Sequence, residues 1–212
     1  MELLVQRQYD RLAHIYDQRW RGYITNTLSF LVEWAQIAPT ETVLDVACGT
    51  GELERLLSDR HAEQAITGVD FSERMLAIAR PKFTDQPTVT FQQASASALP
   101  WQQAEFDVVV CANAFHYFNE PDQVLAEMRR VLHPTGRVVI LDWCRDFLVC
   151  RLCDWGLSLV DPAHKNCYTE AELHEFLTTA GYRVQRSQRV RFGLIWGLMA
   201  IEATPSEPPS IS

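Results

Sequence analysis

Along this chain, short apolar runs rich in β-branched residues alternate with stretches whose apolar positions recur every three or four residues. That alternation predicts βαβ units around a parallel sheet. The predicted strands are "TVLDVA" (42–47), "AITGVD" (65–70), "TVTFQQ" (88–93), "FDVVVCA" (106–112) and "GRVVILDW" (136–143). Most are continuous rather than alternating, as strands buried on both faces are. Between them, 52–60, 72–83 and 120–132 read as helices. Ser72 is placed to cap the second of these, Pro121 to start the third, and "HPTG" to stop it before the next strand. An irregular segment follows (144–167), then a helix over 169–181 with a capping box from Thr169 to Glu172 and a stop at Gly181. Two last strands, from Tyr182 and from Leu194, predict an antiparallel pair. Ahead of the first strand, 6–20 and 24–36 read as two amphipathic helices, and the Pro/Ser-rich end (205–212) as a disordered tail. No repeat and no long linker divides the chain, so residues 1–204 are expected to form one domain, with 1–37 as a helical lid and 144–167 as a small substrate-side segment.

Composition narrows the class. The 212 residues suffice for a full core, and 47% hydrophobic with 22% charged residues is ordinary for a soluble globular protein. No apolar run approaches the ~20 residues of a membrane span, and "MELLVQRQYD" lacks a signal-peptide pattern. Six cysteines scattered through apolar segments suit a reducing compartment, so a cytoplasmic location is expected. A net charge of -8, with its 17 arginines spread along the chain, argues against a nucleic-acid partner.

The candidate chemistry lies in "TVLDVACGTGELERLL" (42–57). A strand, a glycine turn and a helix would suit a dinucleotide, but the third glycine of G-x-G-x-x-G is replaced by Glu54. No Gly-Lys-Ser/Thr follows, so the turn is not a P-loop either. Asp45 and Glu52 would repel a polyanion beside the turn. Asp70 stands at the end of the second predicted strand, about twenty residues past the glycines, where an acidic residue bonds a ribose diol in doubly wound sheets. A nucleoside with a cationic group and no phosphates meets these conditions. S-adenosylmethionine is such a molecule.

The residues "VLDVACGTG" (43–51), "GVDFSERML" (68–76), "SASALPW" (95–101), "FDVVVCANAFHYF" (106–118) and "EMRRVLHPTGRVVI" (127–140) occur in an order and spacing similar to class I S-adenosylmethionine-dependent methyltransferases of the type 11 kind. The opening "YDRLAHIYDQRW" (9–20) resembles the ubiquinone/menaquinone C-methyltransferase branch. The resemblance implies an α/β doubly wound sheet of seven strands, mostly parallel, in the order 3-2-1-4-5-7-6 with the last strand antiparallel and helices on both faces. It also implies S-adenosylmethionine as cofactor. Asp45, Ala47, Gly49 and Gly51 would line its methionine end. Asp70 would accept the ribose hydroxyls, and Phe71 and Met75 would flank adenine. Many relatives carry an Asp where Ser95 stands; the serine hydroxyl and the Ala96 amide would take over adenine recognition. Asn113 would face the methionyl end or the substrate. His116 and Tyr117 would stand at the mouth, His116 as the candidate general base. Tyr9, Tyr16, Arg19 and Trp20 would lie on a lid across the cofactor, with Tyr16 touching it.

For the methyl acceptor, Asn113 is followed by Ala114 rather than by the proline of a base-stacking clamp. With the acidic charge, this points to a small molecule, and the apolar 144–167 segment to a hydrophobic or aromatic one, methylated on carbon or oxygen. The Cys150-x-x-Cys153 pair lacks a second ligand pair, and no metal is expected. Arsenite or an amine remains open as acceptor. Other readings are a non-catalytic module of the same fold and, against Glu54 and the loop carboxylates, a dinucleotide oxidoreductase.

Overall fold

The computed structural model describes residues 2–151, 167–193 and 196–206. Five strands follow βα order: β1 (Val43–Val46), β2 (Ile66–Asp70), β3 (Val89–Gln93), β4 (Phe106–Ala112) and β5 (Leu132–Trp143). The last two, β6 (Tyr182–Phe192) and β7 (Trp196–Pro205), are joined antiparallel. Together they make one seven-stranded sheet in the order β3-β2-β1-β4-β5-β7-β6. Pairing is parallel from β3 to β5, and β7 runs antiparallel to both its neighbours. This is the architecture that the motif resemblance implies.

The continuous apolar strands serve two cores at once. Val108 and Val110 of β4 face one side, and Val109 and Cys111 the other. The first side is covered by α1 (Glu2–Ala35) and α2 (Glu52–Arg60), through Ile24, Leu28, Leu31, Val32, Leu53 and Leu57. The second is covered by α4 (Pro121–Val131) and α5 (Glu170–Thr179), through Leu125, Met128, Leu173 and Leu177. The short α3 (Glu73–Ala79) starts at Ser72, whose hydroxyl accepts the Met75 amide, and passes into a 3-10 turn at Arg80–Phe83 where Pro81 intervenes. The capping box of Thr169 and Glu172 is present as expected.

Three boundaries differ from the sequence expectation. The two amphipathic segments at the start form one helix of 34 residues, α1, which runs through Gly22. A glycine inside a helix costs about 1 kcal/mol, which does not break a helix whose second half is anchored in the core. Strand β5 begins at Leu132, the last residue of the expected helix 120–132, and runs through the expected stop "HPTG", because Leu132 pairs with Phe106 before the register shifts to Val108 and Arg137. At the far end, Pro205 closes β7 and is not part of a tail. Ser206 donates its amide (2.9 Å) and its hydroxyl (2.6 Å) to the Gly181 carbonyl. The remainder of the expected tail, 207–212, and most of the substrate-side segment, 152–166 with Cys153, lie outside the described residues. No helix among the described residues is long and apolar enough to cross a membrane.

Candidate active site

The carboxyl ends of β1, β2 and β4 open onto a cavity of about 830 Å³, its mouth included. The turn after β1 is shaped by backbone strain and by a shared acceptor. Ala47, Gly49 and Gly51 all have left-handed φ (64°, 58° and 81°). The amides of Ala47 and Cys48 both donate to the Val69 carbonyl, at 2.8 and 3.0 Å, which folds the turn over the end of β2. Ala47 and Gly49 line the cavity. A Cβ on Gly49 would stand in open space, whereas one on Gly51 would press into Phe83, Ala79 and Phe91. Gly49 therefore leaves room for a ligand, and Gly51, which does not line the cavity, leaves room for the core.

Asp70 joins the turn to the next helix. Its Oδ2 accepts the Gly49 amide at 2.9 Å and its Oδ1 accepts the Ser72 amide at 2.8 Å. Burial pushes its pKa up to about 6, opposed by those amides. Phe71, Met75, Ser95 and Ala96 line the cavity beside it, with Ala94. Ser95 exchanges a hydrogen bond with Ser97 (2.8 Å). Asp45 is placed differently: it lies in β1, is 3% exposed, does not line the cavity, and its Oδ1 has no hydrogen-bond partner. Burial raises its pKa well above the ordinary value, and Glu54 and then Asp70 add to the rise.

Helix α1 forms the roof. Tyr9 and Tyr16 line the cavity, and their rings pack together (centroids 5.8 Å), with Tyr9 edge-on to Tyr117 (5.5 Å). Desolvation drives both phenols well above their usual pKa, so they stay neutral. Arg19 and Trp20 do not reach the cavity; Trp20 packs on Tyr23 and Trp196. Polar latches hold the roof down. Asp10 accepts from the Ser72 hydroxyl (2.5 Å), Gln6 donates to the Phe71 carbonyl (3.1 Å), and Asp17 accepts from Thr50 and Lys82. Asn113, at φ 57°, lines the cavity while its side chain turns to the roof, accepting from Tyr23 at 2.6 Å and donating to Thr27 at 3.3 Å.

After β4 a 3-10 turn (Phe115–Tyr117) separates the two mouth candidates. Tyr117 lines the cavity; His116 is buried behind it and does not. His116 Nδ1 bonds Asp142 Oδ1 at 2.6 Å, its amide donates to Asp142 Oδ2 at 2.7 Å, and its ring stacks on Trp143. A carboxylate at Nδ1 fixes the tautomer and leaves Nε2 as the acceptor. Asp142 was not among the sequence candidates. The signal that marked Asp45, an aspartate inside an apolar strand, was there as well, in "VVILDW" (138–143).

The residues present fit a nucleoside cofactor of the kind the motifs imply. Three features make the fit: the open space against Gly49, the buried Asp70 carboxyl at the end of β2, and an apolar wall at Phe71, Met75, Ala94 and Ala96. Among the described residues no group of three or more metal-ligating side chains occurs.

Comparison with known proteins gives the same direction. Residues 43–136 match the family described as "Methyltransferase domain". A demethylmenaquinone methyltransferase of Deinococcus radiodurans is 38% identical over 149 residues, 66% of this chain and 60% of that protein. A 2-phytyl-1,4-naphtoquinone methyltransferase of Thermosynechococcus vestitus is 33% identical over 149 residues, 66% of this chain and 64% of that protein. The chain thus spans a little under two thirds of the length of these curated relatives. In fold it is similar to the 1,6-didemethyltoxoflavin-N1-methyltransferase of Burkholderia thailandensis, solved with bound 1,6-didemethyltoxoflavin and S-adenosylhomocysteine. There the TM-score is 0.74 at 19% identity, covering 97% of this chain and 89% of that one.

Proposed function

We propose that the chain is a class I S-adenosylmethionine-dependent methyltransferase, which binds S-adenosylmethionine in the cavity under α1 and methylates a quinone-like small molecule there, a reading supported by the family match and the similar proteins. One observation carries the reading: at the end of β2, Asp70 is hydrogen-bonded to Gly49 on the wall of a cavity into which Gly49 projects no side chain. Each Asp70 oxygen uses one lone pair on a backbone amide and keeps another for a ribose hydroxyl. Phe71 and Met75 offer adenine an apolar, polarizable wall. Tyr9 and Tyr16 on the roof exclude water from the reacting end, and as neutral phenols they donate hydrogen bonds without taking up a proton. When bound, the cofactor supplies a methyl group on positively charged sulfur, open to in-line attack. The chain has to hold the acceptor at near-attack distance. His116, oriented by Asp142, stands behind Tyr117 and is in ring contact with it (4.0 Å). A quinone-like acceptor is supported by the names of the two relatives and by the aromatic lining of Tyr9, Tyr117, Phe71 and Phe118.

The test is calorimetric titration with S-adenosylhomocysteine, with NAD in parallel. Binding on the order of micromolar for the former, ~8 kcal/mol, is expected, with no heat from NAD. Asp70→Ala is expected to weaken it more than about tenfold, or ~1.4 kcal/mol. Unaltered affinity in that variant would remove Asp70 from the site. Turnover of labelled cofactor with naphthoquinols then identifies the acceptor.

A further inference from the structure

Glu54 occupies the position where a dinucleotide turn has its third glycine, and the cavity does not explain it. The residue lies in α2 at 0% exposure, and neither carboxyl oxygen has a hydrogen-bond partner. Its Oε1 and the Cys48 Sγ fill the space where a Cβ on Gly68 would be, so the carboxyl is wedged between α2, the glycine turn and β2. Asp45, also buried, leaves Oδ1 without a partner under the same turn. Two buried carboxyls with three unpartnered oxygens cannot both be ionised cheaply, because a desolvated anion needs donors or a counter-charge. The groups facing Glu54 do not supply one. They are Asp45 on β1, Asp70 on β2, the Cys48 thiol in the turn, Glu52 on its own helix, and Lys82 after α3. Lys82 is already committed to Asp17 and Glu52, both at 2.7 Å, and to the Thr50 carbonyl at 2.8 Å.

We propose that Glu54 is a positioning residue that holds a proton beneath the glycine turn and releases it when a cationic cofactor docks above, so that Glu54 supplies a counter-charge on demand while Asp45 stays protonated. The proposal rests on the cofactor reading of the cavity. Burial sets the resting state, raising Glu54 to about 8, opposed first by its own backbone N–H and then by Lys82, with Asp70 and Glu52 adding to the rise. At neutral pH the carboxyl is therefore protonated before binding. An ammonium brought to the turn favours the ionised form: the Glu54 O–H bond breaks, the pair of electrons stays on the carboxylate, and the proton passes to buffer. Linkage then requires affinity to rise with pH through the range in which free Glu54 is protonated.

The experiment is calorimetric titration of the full chain with S-adenosylhomocysteine, which keeps the ammonium group, at pH 7.5 in two buffers of different ionisation enthalpy. Wild type is expected to release at least roughly half a proton per nucleoside bound, and its affinity to rise several-fold from about pH 6.5 to 8.5. Glu54→Gln, isosteric and uncharged, is expected to bind with almost no proton release and a flat pH profile. Asp70 does not mimic this result, since at about 6 it is already mostly ionised at pH 7.5. Proton release that is absent in wild type, or unchanged in Glu54→Gln, overturns the proposal while leaving the cofactor site intact. Absence of any binding removes the cofactor reading and the linkage with it. If the variant does not fold, the wild-type buffer series alone decides, because zero release there refutes the idea.

Discussion

Asp70 illustrates how much one side chain does at this site. It fixes the turn through Gly49 and starts α3 through Ser72, and these bonds leave one lone pair on each oxygen for a ligand. Gly49 is the complementary case, defined by what it lacks. Its φ of 58° and the open space around a built Cβ make two separate demands for glycine. Gly49→Ala is expected to cost about 1–2 kcal/mol in stability from left-handed strain. It should also lower S-adenosylhomocysteine affinity more than ~tenfold, because its methyl would occupy ligand space. Urea unfolding and calorimetry on the same sample separate the two effects. Ala47 at φ 64° shows that the turn imposes this conformation even on a residue with a Cβ. Asp45 and Asp70 were legible in the sequence as acidic residues in apolar strands, but their different fates were not. Spacing placed both near the turn; only the fold shows that one faces the cavity and the other lies under it.

Among the elements, α1 is the one that local pattern described least well. Its second half is amphipathic and anchored in the core, with Leu31 and Ala35 each 1% exposed, while its first half is held to the site by polar latches. A period-3.6 reading detects the first kind of anchoring and is blind to the second, since Gln6, Asp10 and Asp17 look like any solvated helix face. The joint between the halves is Tyr23. Its hydroxyl donates to Asn113 at 2.6 Å and accepts from the Trp143 indole N–H at 2.7 Å. Tyr23→Phe is expected to destabilise the protein by about 1–3 kcal/mol, since it strands the indole donor and the amide acceptor in a partly buried place. Hydrogen exchange should show faster opening at 9–23, with β4 and β5 unaffected. Equal protection in wild type and variant would show that the apolar anchors alone hold the roof. The strands and the remaining helices were legible because their signals are local: β-branched runs, the Ser72 cap, the Thr169–Glu172 box.

At the scale of the whole molecule, the burial of carboxyls predicts how stability depends on pH. Glu54 and Asp70 have folded values of about 8 and about 6, both raised above their ordinary values of 4.5 and 3.8. A carboxyl raised in the folded state favours folding while protonated. Its contribution is complete below the unfolded value and is lost as pH rises through the folded one. Unfolding free energy without ligand is therefore expected to fall from about pH 5 to pH 8. Glu54→Gln should flatten the upper part of that fall. Denaturant midpoints across the range check it, and a midpoint that rises steadily with pH would contradict the assignment. Ligand should reduce the decline, since a bound cation favours the ionised forms.

The sequence by itself determined the sheet, its order through motif resemblance, the glycine turn, and the acidic residue at the end of β2. Apart from the strand order, which the resemblance implied, these rest on periodicity, capping and spacing, which act between residues close in the chain. The tertiary structure decided which candidates meet. It set Tyr117 on the cavity wall and His116 behind it on Asp142, 26 residues away in the chain. It turned Asn113 toward a helix 90 residues earlier, and it sealed Glu54 and Asp45 away from water. Burial and long-range partners are properties of packing, and no local pattern encodes them.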